Sequence, residues 1–332
     1  MMRARRGPLH SLIVIVLMLL AVHPARASLN ALQVGCPNIS VASLERSVSF
    51  FTTVLDFKLK GEDDSSAISR LVPSMPSGTR SRRARLMLGE ECIDLTEYSS
   101  PRGAAFPEDS HGNDRWFQHI AIVVSDMDQA YARLRAAKVR FVSNVPQKLP
   151  AWNKEAADIS ALYFRDPDGH YLELIHFPPG KGQPKWQISS GDLFLVIDHT
   201  AIVVTDTARS LAFYRDKLHF RVVGGSDNDG TEQEHLSGVF DAHVLITSLR
   251  ADSGIGIELL DYLNPTSGRP IPANLRPDDI SCWQVPIDVK VLNSEREEED
   301  LRWITLPLTH PGGGEEAWIT APDGHLLELV KR

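Results

Sequence analysis

Two stretches of the chain repeat the same order of apolar and polar positions. An apolar run, an acidic turn and an amphipathic segment make up "QHIAIVVSDMDQAYARLRAAKV" from residue 118, and again "DHTAIVVTDTARSLAFYRDKLHF" from residue 198. A continuous apolar run bounded by polar residues predicts a buried strand, and apolar residues at helical spacing after it predict a helix. The alignment makes His119 and His199 equivalent positions, one on each predicted strand.

Two fainter copies extend this repeat to most of the chain. "CPNISVASLERSVSFFTTVLDFKL" begins at Cys36 and keeps the same eight-residue step to the helix entry. The segments 103–119 and 268–284, here called the lead-in segments, align without a gap and place Gln284 opposite His119. Turn signals of the form PDG then precede an apolar strand in "RDPDGHYLELIHF" and "TAPDGHLLELVKR". The sequence therefore predicts four modules, each a strand, a helix and three strands.

The fourth module departs from the others in its helix. Ser294 and Glu297 are placed to form a cap, but the segment "SEREEED" is short and acidic. We expect a truncated helix with a solvated face there.

The stretch 178–192 is rich in proline, glycine and serine and separates the second module from the third. We therefore predict a first domain at 29–180, made by pairing modules 1 and 2. A linker at 181–192 then leads to a second domain at 193–332, made by pairing modules 3 and 4.

The first 27 residues differ in character from everything that follows. Arg3, Arg5 and Arg6 precede the apolar run "SLIVIVLMLLAV", and "ARA" ends at Ala27. The run is about a dozen residues long, whereas a membrane span needs roughly 20. This pattern predicts a secretory signal peptide cleaved after Ala27, and hence a periplasmic or secreted protein with no stable membrane insertion after cleavage. The alternative is an N-terminal membrane anchor.

Charge narrows the choice of partner. The 332 residues carry a formal net charge of -8, without a sustained run of lysine or arginine. A nucleic-acid partner needs a basic surface for the phosphate backbone, so this class is excluded and a small-molecule substrate or ligand is favoured. The sequence leaves the oligomeric state open.

Each module places an acidic residue on its last predicted strand and a polar or ligating residue at the start of its first. An ionised carboxylate in an apolar strand is costly unless it is paired, solvated or bound to a metal. The last-strand residues are Asp94, Glu173, Glu258 and Glu328, and the first-strand residues are Cys36, His119, His199 and Gln284.

The predicted pairing of modules collects these residues into two sets. The set from modules 3 and 4 is the predicted metal site, and it consists of His199, Glu258, Gln284 and Glu328. Imidazole, carboxylate and amide oxygen ligands suit a divalent first-row ion such as Zn, Ni, Mn, Fe or Co. The set from modules 1 and 2 is a second, degenerate site, and it consists of Cys36, Asp94, His119 and Glu173.

The strand and helix signature "DHTAIVVTDTARSLAFYRDKL" and the ending "PDGHLLEL" resemble those of the vicinal oxygen chelate superfamily, over nearly the whole chain after residue 28. The superfamily includes glyoxalase I, extradiol dioxygenases and bleomycin-binding proteins. The resemblance implies an α+β fold of four βαβββ modules, in which paired modules curl around a concave site with metal ligands on first and last strands.

The resemblance also implies a function for the site. A set of one His, one Gln and two Glu is similar to that of glyoxalase I enzymes, which act on small substrates with adjacent oxygens. Glu328 or Glu258 would then serve as ligand and catalytic base. Extradiol dioxygenases instead need His on both first strands of the active pair, where this chain has Gln284 in the predicted pair. A metal-free protein that sequesters a small molecule is the non-catalytic alternative.

The cysteines keep one alternative open. Cys36 is either a thiolate ligand or, if first and last strands are neighbours as the resemblance implies, the partner of Cys92 in a disulfide. Cys282 then remains as an unpaired, buried thiol. We expect His170 and His325, in the PDG turns, to be solvated turn residues rather than ligands.

Overall fold

The computed structural model describes residues 29–65, 75, 79–100, 102–188, 191–292, 301–309 and 313–332. The predicted signal peptide at 1–27 and the predicted short helix of module 4 at 294–300 lie outside these residues.

The modules follow one another in chain order. Module 1 contains β1 (Ala31–Val34), β2 (Asn38–Val41), α1 (Leu44–Val54), β3 (Lys58–Ser65), β4 (Arg80–Leu88) and β5 (Glu91–Ser100). Module 2 contains β6 (Gln118–Val124), α2 (Met127–Ala136), β7 (Arg140–Phe141), β8 (Gln147–Lys148), β9 (Ser160–Arg165) and β10 (Tyr171–His176).

Module 3 contains β11 (Phe194–Val204), α3 (Thr207–Tyr214), β12 (Arg221–Asn228), α4 (Gly230–Ser237), β13 (His243–Arg250), β14 (Ser253–Gly254) and β15 (Gly256–Asn264). Module 4 contains β16 (Trp283–Val289), β17 (Arg302–Trp303), β18 (Leu308–Thr309), β19 (Glu315–Thr320) and β20 (Leu326–Lys331). A 3-10 turn, Pro184–Gln187, lies in the predicted linker. The α+β class and the modular order agree with the prediction.

Helices α1, α2 and α3 begin at equivalent capping residues. The side chains of Ser43, Asp126 and Asp206 each accept a hydrogen bond from the backbone N–H three residues further on. Such a cap satisfies one of the free N–H groups of a helix start. The serine or aspartate in the turn of each repeat therefore marks the point at which the strand ends and the helix begins.

The strands form two sheets. One sheet combines the first and last modules of the chain, and the other combines the two middle modules. Sheet A has the order β17-β19-β20-β16-β2-β5-β4-β3, and sheet B has the order β12-β13-β15-β11-β6-β10-β9-β7. The predicted pairing of module 1 with 2 and of module 3 with 4 is therefore wrong. Module 1 shares a sheet with module 4, and module 2 shares a sheet with module 3.

The lead-in segments explain this exchange, because they cross each other between the sheets. The N–H of Arg115 donates to the carbonyl of Arg269 at 2.9 Å, and the N–H of Ile280 donates to that of Ala104 at 2.9 Å. Each lead-in thus carries the chain from one sheet to the other. The predicted linker instead returns the chain to the same sheet, where β6 and β11 pair antiparallel.

The crossing needs glycine at the start of each lead-in. A Cβ atom on Gly103 would lie 2.0 Å from the carbonyl oxygen of Asp278, and one on Gly268 would lie 1.8 Å from that of Asn113. These separations are far inside van der Waals contact, so no larger residue fits without moving the backbone.

Strand alternation separates two faces of sheet B. Leu172 and Leu174 of β10 join the main hydrophobic core with helices α1 to α3, whereas Tyr171 and Glu173 point to the opposite face. That opposite face carries its own cluster of aromatic and aliphatic side chains. Among the described residues, no helix is long and apolar enough to cross a membrane.

Candidate metal centre

Four neighbouring strands at the middle of sheet B place two imidazoles and two carboxylates on one face. Tyr171 pairs with His119 in the parallel β6/β10 ladder, so Glu173 lies one pleat further along the same face. The β11/β15 ladder repeats this relation, with His199 opposite Gly256 and Glu258 two residues beyond.

These side chains lie within reach of a single ion. The His119 Nε2 atom is 3.0 Å from Glu173 Oε2, and His199 Nε2 is 3.5 Å from the same oxygen. His199 Nε2 is also 3.3 Å from Glu258 Oε2. Ligand atoms of His119, Glu173 and His199 all lie within 4.8 Å of one another, and all three residues are buried.

A third carboxylate holds His199 on the opposite side of its ring. Its Nδ1 atom is 3.0 Å from Asp198 Oδ2, and Asp198 in turn pairs with the guanidinium of Arg250. A carboxylate on the far nitrogen fixes the tautomer of an imidazole and directs its other nitrogen toward the site. Glu258 is fixed in a similar way, because Ser248 Oγ donates to its Oε1 at 2.6 Å.

The electrostatics lower the pKa of Glu173 and raise that of His199. Burial raises the pKa of Glu173, but the hydrogen bond from His119 and the nearby imidazole of His199 outweigh it and hold this pKa below its usual value. Burial likewise lowers the pKa of His199, yet the charge of Glu258 and the bond to Asp198 raise it well above the usual value. Three carboxylates around one ring therefore make a site suited to positive charge.

A cavity of about 940 Å³ opens onto this cluster. The residues that line it include His199, Glu173, Glu258 and Tyr163, together with Trp186 of the predicted linker. Its size is at the upper end of that of small-molecule sites in proteins.

The structure divides the predicted metal set between the two sheets. His199 and Glu258 lie in sheet B, whereas Gln284 on β16 and Glu328 on β20 lie in sheet A. His119 and Glu173, predicted to belong to the degenerate set, take the places that Gln284 and Glu328 were expected to fill.

The remaining residues form a set in sheet A that is engaged elsewhere. Cys36 forms the disulfide with Cys92, the outcome left open by the sequence. Asp94 accepts hydrogen bonds from two guanidinium nitrogens of Arg85, Nε at 2.8 Å and Nη2 at 2.7 Å. Gln284 accepts a hydrogen bond from Asn38 at 2.8 Å.

Glu328 differs from the carboxylates of sheet B in its charge environment. Burial and the nearby charge of Glu316 raise the pKa of Glu328 to about 8. Without an adjacent imidazole, this carboxyl group holds a proton near neutral pH, whereas Glu173 is ionised.

The two PDG-turn histidines are buried rather than solvated. His170 Nδ1 is 2.8 Å from Asp166 and its Nε2 is 2.7 Å from the carbonyl of Ile280, so both nitrogens face acceptors. His325 Nε2 is 3.0 Å from the carbonyl of Val203. Neither belongs to the cluster in sheet B, as expected, but both join the modules to each other.

Asp198, Arg250 and Ser248 were missed from the sequence. Asp198 directly precedes His199, and adjacent residues of a regular strand point to opposite faces. A register shift between Ile197 and His199 changes this locally and brings the two side chains together. A charged residue within the apolar run "FLVIDHTAIVV" was the available signal.

The residues present fit a divalent ion. His199 Nε2 is buried, makes no hydrogen bond and faces two carboxylates. Buried polar atoms without a partner are rare and costly in folded proteins, and a bound ion removes the cost. Two imidazoles and two carboxylates would hold Zn, Ni, Mn, Fe or Co equally naturally by ligand type.

The fold and the cluster define a class of proteins built from paired βαβββ modules, with ligand-type side chains at the centre of each open sheet. The chain belongs to the Glyoxalase/Bleomycin resistance protein/Dioxygenase superfamily, whose model matches residues 32–174 and 196–271. These ranges cover more than half of the chain, and the resemblance seen in the sequence is confirmed.

Individual relatives agree with this assignment. Glyoxalase I of Saccharomyces cerevisiae is 27% identical over 127 residues, a stretch that spans 37% of this chain and 35% of the yeast protein. Glyoxalase I from Zea mays superposes with a TM-score of 0.59 at 16% identity, covering 91% of this chain and 92% of the maize chain. A putative dioxygenase from Bacillus subtilis gives a TM-score of 0.51 at 12% identity, covering 92% of this chain and 85% of the other. At these identities the two structures show the fold alone.

Proposed function

We propose that the protein is a glyoxalase-like enzyme that binds one divalent metal ion through His119, Glu173, His199 and Glu258. The substrate is a small molecule with two adjacent oxygens. The observation that supports this proposal is the convergence of two imidazoles and two carboxylates, with His199 Nε2 left unpartnered, at a cavity large enough for such a substrate.

The chain's own residues divide the work. A bound divalent ion supplies Lewis acidity toward adjacent substrate oxygens. Glu173 is enclosed between two imidazoles and acts as a fixed anionic ligand. The side chain of Glu258 is 20% exposed, so it reaches the cavity and is the better placed of the two to accept a substrate proton. Asp198 and Arg250 orient His199.

Elemental analysis of protein purified without a chelating tag tests the metal. We expect close to one ion per chain in the wild type, with strong loss in His119→Ala and His199→Ala. Glu328→Gln is the matched control, because this residue lies in the other sheet and should leave metal content unchanged. An unchanged metal content in both histidine variants would contradict the proposal. Wild-type protein that holds no ion even after reconstitution would also contradict it and would favour the metal-free sequestering protein.

A second candidate, an extradiol-type dioxygenase, is favoured by one specific observation. The objection raised by Gln284 disappears, since the module pair in sheet B has His119 and His199 on its two first strands. With Glu173 they form a set of two histidines and one carboxylate, a ligand type used by non-haem iron oxygenases.

A substrate screen separates the two reactions. The screen tests two substrate classes on protein reconstituted with each ion. One class is 2-oxoaldehydes, with and without thiols, and the other is catechols. Metal-dependent conversion of an oxoaldehyde without oxygen uptake supports the lyase or isomerase. Oxygen consumption with a catechol and Fe(II) supports the dioxygenase instead.

We infer that the chain is exported and cleaved after Ala27. The Cys36–Cys92 disulfide supports this inference, because structural disulfides persist in oxidising compartments. N-terminal sequencing of the protein from its natural host is expected to begin at Ser28. An N-terminus at residue 1 or 2 in the cytoplasmic fraction would contradict export.

A further inference from the structure

Modules 2 and 4 contain the same junction, in which a lead-in segment packs on a PDG turn. A Cβ atom on Gly169 would lie 3.5 Å from Phe106, and one on Gly324 would lie 3.1 Å from Ile271. Phe106 and Ile271 occupy equivalent lead-in positions. The two junctions can therefore be compared position by position.

In module 2, large side chains fill the space beneath the turn. Tyr171 OH and Arg165 Nη2 both donate to the carbonyl of Ser110, at 2.7 and 2.8 Å. The Arg165 guanidinium lies 4.0 Å from the centre of the Tyr171 ring. The centre of the Phe117 ring lies 4.5 Å from the centre of the same Tyr171 ring. All of these side chains are buried, so this junction is closed.

In module 4 the equivalent positions carry smaller side chains. Strand register and lead-in alignment give the equivalents of Phe117, Tyr171 and Arg165 as Cys282, Leu326 and Thr320. A cavity of about 480 Å³ occupies the space, with all three residues in its wall. None of the residues that line it lines the cavity at the metal cluster. We call it the arginine groove.

Three guanidinium groups border the arginine groove: one from the first lead-in segment, one from module 3 and one from module 4. They belong to Arg115, Arg209 and Arg302, and none of them makes an ion pair with a described residue. One carboxylate, that of Asp323, also lines the groove, where it accepts hydrogen bonds from the N–H and hydroxyl of Thr205. Three guanidinium groups and one carboxylate leave the described lining of the groove with an excess of positive charge.

Arg209 also differs between the two junctions in what its guanidinium group contacts. Its equivalent in module 1, Arg46, pairs with Asp168 of the closed junction. Arg209 instead donates to the backbone carbonyl of Pro322, which carries no formal charge. The sequence difference thus opens the space and frees a cation at the same junction.

We propose that the arginine groove binds a small organic carboxylate with an apolar body. The guanidinium groups bind the anionic head, since an arginine fork matches a carboxylate in geometry and charge. Ile271, Leu275 and Leu326 contact the apolar part. The site is independent of the metal cluster and of its reaction.

Isothermal titration calorimetry of the metal-loaded full chain with octanoate tests the proposal. Octylamine, with the same chain length and opposite charge, is the matched ligand control, and inorganic phosphate tests the charge alone. We expect octanoate to bind with a Kd below about 1 mM, and each of octylamine and phosphate to bind at least ~10-fold more weakly. No octanoate binding, or equal binding of either control, would overturn the proposal.

Variants locate the binding. Arg302→Gln and Arg209→Gln, both at exposed positions, should weaken octanoate binding by ~10-fold or more, as expected for a lost charge-assisted hydrogen bond. Arg221→Gln, which lines the metal-cluster cavity, should leave the Kd unchanged. The reverse pattern would place octanoate in that cavity and overturn the assignment.

Refilling the groove gives an independent check. Leu326→Tyr, which installs the residue of module 2, should abolish octanoate binding while far-UV circular dichroism and metal content stay unchanged. If this variant fails to fold, the arginine variants decide the outcome. A folded Leu326→Tyr protein that binds octanoate like the wild type contradicts the proposal.

Discussion

Asp198 acts on the cluster in sheet B through His199, because its carboxylate holds the far nitrogen of that imidazole. We predict that Asp198→Asn weakens metal affinity by ~10–100-fold, the effect typical of losing a carboxylate behind a histidine ligand. Competition against a chromophoric chelator measures this affinity. Asp216→Asn, which alters a surface pair with Arg215, should have no effect. Equal affinities of the Asp198 variant and wild type would show that His199 is oriented by other contacts.

His170 and His325 are equivalent residues with opposite titration behaviour. Burial lowers the pKa of His170, but Asp166 outweighs it and raises this pKa above its usual value. His325 has a carbonyl partner and no adjacent acid of this kind, so burial lowers its pKa.

We predict opposite pH dependence for the two histidines. A raised folded-state pKa stabilises the protein below the unfolded value of about 6.5, and this stability is lost as pH rises through the folded pKa. A lowered pKa costs stability as pH falls below about 6.5. Urea unfolding of His170→Gln should therefore show a larger deficit against wild type at low pH than at high pH, and His325→Gln the reverse. Deficits that do not change with pH would contradict both assignments.

The polar residues that converge in sheet B stood out individually in the sequence, but their grouping did not. His119, Glu173, His199 and Glu258 stand out because each is polar at a fixed place in an apolar strand. Which modules share a sheet depends on the path of the lead-ins, and that path is fixed by contacts more than 150 residues apart in sequence. Asp198 was missed because a strand irregularity, not the regular alternation, places it beside His199.

At the scale of elements, the lead-in crossing is the feature on which the sheet assignment depends. We predict that Gly268→Ala lowers the free energy of unfolding by about 1–3 kcal/mol, because the added Cβ displaces the backbone of Asn113. Gly61→Ala is the control, since a Cβ there meets nothing within 4 Å and should stay within about 1 kcal/mol of wild type. Chemical denaturation measures both, and equal stabilities would mean that the crossing is not tightly packed.

The local sequence pattern predicted some of the helices but not all of them. Helices α1 to α3 were predictable, because a capping residue and an apolar stripe mark each one. Helix α4 was missed, since "GTEQEHLS" has a single large apolar residue, Leu236, and little amphipathic pattern. Tertiary contacts stabilise it instead: the side chains of Asn153, Asn228 and Gln233 form a buried chain of hydrogen bonds beside it.

For the whole molecule, each sheet contains strands from both sides of the predicted linker. We predict that neither 29–192 nor 193–332 folds alone, because each piece lacks half of both sheets and leaves the edges of β2 and β6, or of β11 and β16, unpaired. Mixing the two pieces should restore cooperative unfolding and metal binding, which circular dichroism and elemental analysis measure. A stable, cooperatively folded 193–332 would instead support the domain division predicted from the sequence.

The partner exchange also sets an order of assembly during synthesis. Modules 2 and 3 are neighbours in the chain, so sheet B is complete once the chain has reached Asn264. Strand β2 has to wait for β16, which begins only at Trp283, and until then its edge is open to other chains. In the chain, the segments that form sheet B therefore lie between the first and the last segments that form sheet A. A chain interrupted late in translation would already have a finished sheet B, with its cluster of two histidines and two glutamates in place, while the first module still lacked its partner.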